Sequence, residues 1–248
     1  MIAKSRLIVA AGLVLALAVS GIAFAAGADD NQASVEGKVS PKKLDKKKFK
    51  PVNLLSGVRT TGPVPGENPE REYLSYDRNI KFKSKAAPTC SAPIEFLSTE
   101  AARAACPRKS YIGKGKASIE LPGGLVYNGI TVSAFNGPGK NQLRLHTFDP
   151  RLAGATPTVF GKLVKSNAGR KYKWALSVPD APDVAGDTGK ITSFNAKIKR
   201  SSGIVLARCK SKQLRFERKV TYDDGSTETV TTQQKCKRKR GGKHRRHR

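Results

Sequence analysis

The pattern of apolar and polar positions along the chain is dominated by short alternating runs. In residues 79–83, 117–121 and 171–178 the apolar side chains fall mostly on one face, with charged or polar side chains on the other. A period of two residues is typical of β-strands that bury one face. Four further strands are predicted from apolar and β-branched content, at 129–135, 142–148, 156–165 and 191–199.

Clusters of turn-forming residues separate these runs. Examples are Gly137-Pro138-Gly139, Asp149-Pro150 and Pro179-Asp180-Ala181-Pro182. Many short strands at regular spacing favour an antiparallel sandwich or barrel. We therefore predict a mainly β fold, an antiparallel β-sandwich with a jelly-roll or immunoglobulin-like arrangement.

The strongest turn signal lies near the C-terminus. Residues 214–222 and 227–232 are rich in Thr, Val and aromatic side chains, and Asp223-Asp224-Gly225-Ser226 separates them. Asp-Gly between two such runs is typical of a β-hairpin, because Gly tolerates the positive φ that the turn requires. The two runs are therefore predicted to be paired antiparallel strands.

One short helix is predicted at 99–105, where Glu100 and several alanines favour helix. Ser98 is suited to cap it, because its side-chain oxygen can accept a hydrogen bond from a free backbone N–H of the first turn. Pro107 ends the helix, since proline cannot continue the hydrogen-bonding pattern.

The N-terminal residues have the pattern of a secretory signal peptide. Lys4 and Arg6 precede an uncharged apolar run at 7–19, and Ala23-Phe24-Ala25 supplies a small-x-small cleavage site. An uncleaved membrane anchor is the alternative, because the apolar run extends to about 20 residues when Ser20 and Gly21 are included. We expect a signal peptide at 1–25 and a secreted or extracellular protein that the cell envelope can retain through charge.

The composition adds a large positive charge. The chain holds 47 Lys and Arg against 19 Asp and Glu, a formal net charge of +28. Residues 26–50 contain seven Lys, four acids and few aromatic or β-branched residues, so a basic disordered linker is predicted there. Residues 51–234 hold 29 Lys and Arg against 15 acids, so the β-domain, placed at 51–236, is basic too. Such a charge favours an anionic partner.

The most basic segment is the C-terminal one. Residues 235–248 hold nine Lys and Arg and no acid, which predicts a cationic disordered tail at 237–248. Such a tail binds polyanions by counterion release, and without aromatic residues it cannot stack on bases. A tail that only keeps the protein soluble is the alternative. The predicted polyanion-binding residues are Lys237, Arg238, Lys239, Arg240, Lys243, Arg245, Arg246 and Arg248.

The four cysteines, at 90, 106, 209 and 236, indicate two disulfides formed in an oxidising compartment. Of the three connectivities we favour Cys90–Cys106 and Cys209–Cys236, because each closes a modest loop. A zinc site is not expected, since no C-x-x-C occurs and His146 is the one histidine in the domain. A nucleophilic cysteine would lack an activating base for the same reason.

Candidate catalytic groups are few. His146 and Asp149 could belong to a Ser-His-Asp set, but the chain has no G-x-S-x-G elbow, so a surface histidine on a strand is favoured. The three aspartates within 180–187 could bind Ca²⁺, but they lack the pattern of a known calcium loop, so a solvated acidic loop is favoured. No catalytic residue, metal site or cofactor is therefore predicted.

Several motifs together resemble a known group of proteins. They are Cys90, Ala105-Cys106-Pro107-Arg108-Lys109-Ser110, Ile112-Gly113-Lys114-Gly115-Lys116-Ala117, Ala134-Phe135-Asn136-Gly137, Leu176-Ser177-Val178-Pro179 and the Cys209–Cys236 hairpin with Thr221-Tyr222-Asp223-Asp224-Gly225. Over residues 75–236 the chain resembles exported actinobacterial proteins in which a signal peptide precedes a disulfide-bonded β-domain. The resemblance implies a β-rich secreted domain and implies no catalytic residue.

Two functions from different classes follow as hypotheses. The first is an exported, non-enzymatic, monomeric protein that binds anionic cell-wall polymer or lipid headgroups through its basic body and tail. Extracellular nucleic acid would then be a non-specific partner. The alternative is a secreted hydrolase acting on polysaccharide or ester substrates, which in the polysaccharide case needs two facing carboxyl groups in a cleft.

Overall fold

The computed structural model describes residues 32–61, 69–121, 124–152, 158–179, 190–222 and 225–239 of the 248-residue chain. Strands dominate these ranges, and α1 (Thr99–Ala105) is the one α-helix within them. The strands are β1 (Gln32–Ser40), β2 (Lys43–Leu44), β3 (Lys50–Pro51), β4 (Asn53–Thr61), β5 (Pro69–Asp77), β6 (Ile80–Phe82), β7 (Tyr111–Leu121), β8 (Leu125–Asn136), β9 (Gln142–Phe148), β10 (Thr158–Lys165), β11 (Tyr172–Pro179), β12 (Lys190–Ile198), β13 (Val205–Ala207), β14 (Gln213–Tyr222), β15 (Thr227–Lys235) and β16 (Lys237–Arg238).

Eleven strands form one antiparallel sheet in the order β1-β4-β12-β7-β8-β9-β10-β11-β5-β14-β15. Its two edge strands, β1 and β15, lie side by side, so the sheet curls until it is nearly closed. Side chains bridge the seam. The Glu228 carboxylate accepts a hydrogen bond from the Ala33 N–H at 3.0 Å, and the Gln234 amide bonds to both backbone groups of Val39. The prediction of a mainly antiparallel β fold with one short helix is confirmed.

Apolar side chains from alternate strand positions fill the inside of the curled sheet. Leu74 and Tyr76 on β5 and Leu214 and Phe216 on β14 are buried there. The Tyr76 ring meets the Phe216 ring edge-to-face, with 6.3 Å between centroids. Burying each such side chain contributes about 1.5–3 kcal/mol, and a one-residue slip would turn all of them outward. The alternation therefore fixes the register of the strands as well as their existence.

The segment between β6 and β7 forms an outer layer over β8 and β9. The Cys90–Cys106 disulfide and α1 pack there against Phe135, which is fully buried. Ser98 caps α1, as predicted, because its Oγ accepts a hydrogen bond from the Ala101 N–H at 3.1 Å. This layer hides side chains of β9 that the sequence places on a surface.

The seven strands predicted from alternation or β-branched content correspond in order to β6 through β12, and β9 has the predicted bounds. The predicted C-terminal hairpin is β14 and β15, paired from Gln213 to Thr221, with Gly225 at φ +80°. Asp223 and Asp224 lie outside the described residues. β4 and β5 were not predicted as strands, because small and charged residues interrupt their apolar positions.

The prediction of a disordered linker at 26–50 is wrong over residues 32–50, the part that the structure describes. β1 occupies the first half of that range and pairs with β4 along its whole length. Val35 and Val39 pack against the core, in the two-residue alternation of a strand. The lysine content of the segment suggested disorder, but the packing of its apolar side chains stabilises a strand despite that content. The predicted signal peptide, at 1–25, lies outside the described residues.

Both predicted disulfides are present. The Cα atoms are 5.1 Å apart in Cys90–Cys106 and 5.9 Å apart in Cys209–Cys236, within the usual range for a disulfide. Disulfides persist in oxidising compartments, so the domain is suited to an extracellular-type environment. A helix long and apolar enough to cross a membrane does not occur in the ranges that the structure describes.

Candidate polyanion-binding surface

Connections carrying positive charge converge at one end of the curled sheet. Because neighbouring strands run antiparallel, the connections after β1, β5, β8, β10, β12 and β15 meet at the same end. We call it the basic end, made of residues 41–52, 78–79, 137–141, 166–171, 199–204, 208–212 and 236–239. These segments contain 18 Lys and Arg and a single acid, Asp45. The charge of the domain is therefore concentrated at one end.

A short parallel strand pair joins the two most basic stretches of the sequence. β16 pairs with β2, so that Lys237 lies beside Lys43 and Arg238 beside Leu44. The Lys237 N–H donates to the Lys42 carbonyl at 2.9 Å, and the Lys239 N–H donates to the Leu44 carbonyl at 2.7 Å. The lysine-rich stretch near the N-terminus and the first residues of the basic tail thus form one surface.

The Cys209–Cys236 disulfide lies directly behind this pair. The Cys209 N–H donates to the Asp45 carbonyl at 2.8 Å, and the Cys236 N–H donates to the Lys212 carbonyl at 2.8 Å. Both cysteines are buried, so the crosslink ties three basic segments together from the inside of the domain. The disulfide therefore restrains the cations of 208–212 and 236–239, and hydrogen bonds hold the segment at 41–52 against them.

The six lysines between residues 42 and 50 are all exposed. Asp45 shapes this loop, because its Oδ1 accepts hydrogen bonds from the backbone N–H groups of Lys47 and Lys48 at 2.8 and 2.9 Å. These backbone bonds, first that of Lys48, lower the pKa of the Asp45 carboxyl. The one acid of the basic end thus has a structural role, and it holds neighbouring lysines in fixed backbone positions.

An aromatic side chain positions two further cations. The Lys81 Nζ lies 4.3 Å from the centroid of the Phe49 ring, and the Arg208 guanidinium carbon lies 4.5 Å from it. Arg208 also donates from Nε to the Asn79 Oδ1 at 3.0 Å. Cation–π contacts of this kind hold a charge without neutralising it. Lys81 and Arg208 therefore add to the positive field beside the lysine loop.

The predicted tail is not disordered over its first residues. Lys237, Arg238 and Lys239 are ordered and exposed beside β2, and the Arg238 Nη2 donates to the Lys210 carbonyl at 2.6 Å. The tail has no apolar side chains that could pack against the domain. Its first residues are ordered instead by backbone hydrogen bonds to β2. The other predicted polyanion-binding residues, Arg240, Lys243, Arg245, Arg246 and Arg248, lie outside the described residues.

The prediction that His146 is a surface histidine is wrong. The outer layer covers β9, so His146 is 0% exposed, and its Nε2 lies 3.0 Å from the Leu97 carbonyl. Since a carbonyl only accepts, the proton is on Nε2. Burial lowers the pKa of the His146 imidazole, which keeps it neutral. Its neighbour Arg144 is also buried and forms an ion pair with Glu95. The cover over β9 is thus held by polar bonds.

The structure does not join the other candidate groups into a catalytic set. Asp149 binds Arg151 through both carboxylate oxygens, at 2.9 Å to Nε and 2.6 Å to Nη2, and this contact lowers the pKa of its carboxyl. The aspartates at 180, 183 and 187 lie outside the described residues. Within the described ranges, no group of three or more His, Cys, Asp or Glu side chains could hold a metal ion.

Arg208, Lys210 and Lys212 belong to the basic end, although their sequence context gives no signal for it. They follow β13 around Cys209, and each is an ordinary isolated cation in the sequence. Counting charge for each strand connection, and following the antiparallel strand directions, would have grouped them with residues 42–50.

Comparison with known proteins adds little to this description. No protein-family model matches the sequence, and no curated protein matches it. Among solved structures, the chain has weak similarity to one described as "AvmM Catalyzes Macrocyclization in Alchivemycin A Biosynthesis". The two share 9% sequence identity and a TM-score of 0.28, over 84% of this chain and 89% of the other. Similarity at this level supports no inference about activity.

Proposed function

We propose that this is an exported, non-enzymatic protein that binds anionic polymers or surfaces through its basic end and the tail that continues from it. The pairing of β2 with β16 is the observation that carries the proposal. It brings the lysines of residues 42–50 and the first cations of the tail onto one exposed surface. Two clusters from distant parts of the chain thereby act as a single charged site.

The electrostatics of such a surface favour polyanions. Each Lys or Arg that neutralises an anionic group releases condensed counterions, so affinity is high at low salt and falls steeply as salt rises. The single acid in the basic end, Asp45, is occupied by the backbone of its own loop. The exposed cations around it are therefore free to contact a ligand that carries many negative charges.

The compartment determines which polyanions are reachable. The two disulfides fit an oxidising environment, and the pattern at residues 1–25 predicts export. Anionic cell-wall polymer and anionic lipid headgroups are then the natural partners, with retention at the cell envelope as the result. Duplex nucleic acid would bind as well, through its phosphates and without sequence preference.

Three carboxylates that could serve a secreted hydrolase are instead paired with arginines, so they do not support that alternative. Glu72 forms an ion pair with Arg218, Glu95 with Arg144, and Asp149 with Arg151. A carboxyl that serves as a general acid needs a raised pKa, whereas the contacts around Glu95 and Asp149 lower theirs. Burial raises the pKa of Glu217, but among the described residues no second carboxyl lines the groove in which Glu217 lies, whereas glycoside hydrolysis requires two. We therefore favour binding over hydrolysis.

A salt series with matched triple variants tests the proposal. The protein is bound to purified anionic wall polymer, to vesicles containing anionic lipid and to duplex DNA, and affinity is measured as salt rises. In the test variant Lys46, Lys47 and Lys48 are changed to Gln together. We expect the slope of log affinity against log salt to fall by about one for each anionic group that is no longer neutralised, roughly two to three in all.

The control removes the same charge elsewhere. Arg71, Lys116 and Lys219 are exposed cations on β5, β7 and β14, away from the basic end, and are changed to Gln together. We expect this variant to change the slope by less than about one. Equal losses in the two triple variants would mean that only net charge matters, and the proposal of a localised site would be wrong.

Truncation after Lys239 tests the tail separately. Lys237 and Lys239 are bound to the β2 region, so a chain ending there keeps the structured part of the basic end. The truncation removes five Lys and Arg within 240–248. We expect a further loss of affinity at low salt for every polyanion. Unchanged affinity would show that these residues only keep the protein soluble.

A further inference from the structure

A groove of about 630 Å³ opens on the outer wall of the sheet, next to the basic end. The outer faces of β14 and β15 form its floor, and the turn between β10 and β11 forms one side. The lining residues are Ala168, Gly169, Arg170, Lys171, Tyr172, Arg215, Glu217, Thr231, Thr232 and Gln233. Its size is within the usual range for ligand pockets.

The turn that forms the side of the groove is held in place by hydrogen bonds. The Ser166 Oγ donates to the Ser75 Oγ at 2.9 Å, which anchors the turn to β5. The Tyr172 N–H donates to the Gly169 carbonyl at 3.1 Å, and the Arg78 N–H donates to the Lys171 carbonyl at 2.9 Å. The groove is therefore formed before any ligand arrives, which reduces the ordering cost of binding.

Three cations line the groove. Arg170 and Lys171 are exposed on the turn, and Arg215 rises from the floor. Arg215 is oriented by the buried Asp77, whose Oδ2 lies 3.2 Å from the Arg215 backbone nitrogen and 3.6 Å from its Nη1. Asp77 offsets part of the Arg215 charge, but Arg170 and Lys171 have no such partner in the groove lining. The groove thus carries a net positive charge for an anionic ligand.

The rest of the floor consists of groups suited to hydroxyls. Glu217 lies opposite Thr231 and Arg215 lies opposite Gln233 across the β14–β15 pair, so all four project from the same outer face. The Tyr172 side chain lies beside Glu217 in the groove lining, and burial raises the pKa of the Glu217 carboxyl. A carboxylate between cations hinders simple polyanion binding, but it is a strong acceptor for hydroxyl groups.

We propose that this groove binds a segment of a polyanion whose repeating units also carry hydroxyl groups, an acidic polysaccharide or a polyol phosphate chain. Arg170, Lys171 and Arg215 contact the anionic groups, and Glu217 and Thr231 contact the hydroxyls. The inference rests on the proposed function and adds a ligand class to it. Because the turn at 166–171 is part of the basic end, one polymer chain can occupy the groove and the rest of the basic end together.

The test exploits a difference in sign. Glu217→Ala removes a negative charge, so electrostatics alone would increase affinity for every polyanion. We expect this increase for inorganic polyphosphate, which lacks hydroxyl groups. For polygalacturonate and for poly(glycerol phosphate) we expect affinity to fall about tenfold, because the variant removes a charged acceptor that bonds to their hydroxyls. The affinities of the unmodified protein for the two hydroxylated polymers, compared at the same salt concentration, distinguish a carbohydrate ligand from a polyol phosphate.

The control is Glu36→Ala, which removes an exposed acid on β1 away from the groove. We expect it to shift affinity for all three polymers in the same direction and by the same factor. Thr231→Val is a second groove variant, on an exposed position where folding is not at risk. We expect it to weaken binding of the hydroxylated polymers alone.

The outcomes separate the two proposals. If the unmodified protein binds no polyanion, the proposed function fails. The protein could instead bind all three polymers, with Glu217→Ala and Glu36→Ala changing the three affinities by equal factors. Binding by the basic end would then stand, and the groove assignment would be wrong. Loss of polygalacturonate and poly(glycerol phosphate) binding in both groove variants, with polyphosphate binding kept, supports the groove.

Discussion

Gly37 on β1 lies flat against the ring of Phe216 on β14, and a Cβ built on Gly37 would come within 2.1 Å of the Phe216 Cγ. Phe216 is buried at 2% exposure and packs against Tyr76 inside the sheet. The contact crosses the seam at which the sheet closes, because β1 and β15 are its two edges. A glycine at this position is what lets β1 approach the core.

Gly37→Ala is therefore expected to destabilise the protein by about 1–3 kcal/mol, the usual cost of overpacking a core. Chemical unfolding followed by tryptophan fluorescence would measure it, since Trp174 lies in the same core. Lys38→Ala, on the exposed neighbouring position, is the control and should change stability by less than about 0.5 kcal/mol. Equal stability of both variants would mean that β1 is not packed on Phe216.

A buried arginine gives a second prediction. Arg218 is 1% exposed and bonds to the Arg59 carbonyl at 3.0 Å, to the Thr60 Oγ1 at 2.9 Å and to the Glu72 carboxylate. Glu72→Ala leaves the guanidinium charge buried without its counterion. We expect a decrease of about 3–5 kcal/mol in the free energy of unfolding.

The double variant Glu72→Leu with Arg218→Leu separates the charge effect from the packing effect. We expect it to be less destabilising than Glu72→Ala alone, because no unpaired charge stays buried. Denaturant titration of both variants measures the difference. A double variant at least as unstable as the single one would show that the ion pair itself, and the hydrogen bonds of Arg218, hold β4, β5 and β14 together.

His146 makes stability depend on pH. Its imidazole is buried and neutral, and its pKa is lowered below the ordinary value of 6.5 by burial, with the Arg144 charge acting in the same direction. Protonation therefore favours the unfolded state, and stability falls as pH drops below about 6.5. Glu95 and Arg144 are the charged groups that face the ring.

Denaturant titrations between about pH 8 and pH 5 test this. We expect the free energy of unfolding of the unmodified protein to decrease as the pH falls through this range. In His146→Gln the part of this pH dependence that comes from the imidazole should be absent. The comparison with His146→Gln separates this effect from that of Glu217, whose carboxyl pKa is raised by burial, because both proteins retain Glu217. An unchanged pH profile in His146→Gln would show that the buried histidine does not control it.

Local chemistry accounts for the parts of the fold that could be predicted from sequence. The alternation or β-branched content at β6 through β12, the Ser98 cap and the Asp-Gly turn are each encoded by residues close together in the chain. The cysteine pairs follow from short loop closure. β1 was missed because lysine content suggested disorder, although Val35 and Val39 carry the strand pattern.

Tertiary placement accounts for what could not be predicted. His146 looks like a surface residue on an alternating strand until the segment containing α1 covers it. The basic end depends on strand directions and on the pairing of Lys43 with Lys237, residues far apart in the chain. The sequence shows the charge of both segments, but not that they are neighbours.

The two disulfides provide a matched pair for testing how far the basic end depends on its geometry. Cys209–Cys236 lies behind the β2–β16 pair, whereas Cys90–Cys106 lies in the outer layer over β8 and β9. Replacing both cysteines of either pair by Ser leaves the net charge unchanged. Either change should cost roughly 3 kcal/mol of stability in the chain-entropy account of disulfides.

Affinity for polyanions should decrease when Cys209–Cys236 is removed and should not change when Cys90–Cys106 is removed. Without Cys209–Cys236, the segments at 208–212 and 236–239 lose their covalent link, and backbone hydrogen bonds alone hold the segment at 41–52 to them. The cations then spread over more conformations. We expect weaker binding at moderate salt, measured below the unfolding temperature of both variants, while the Cys90–Cys106 variant binds as the unmodified protein does. If both variants bind equally well, binding depends on the number of cations and not on their positions, and the fixed arrangement of the basic end is not required.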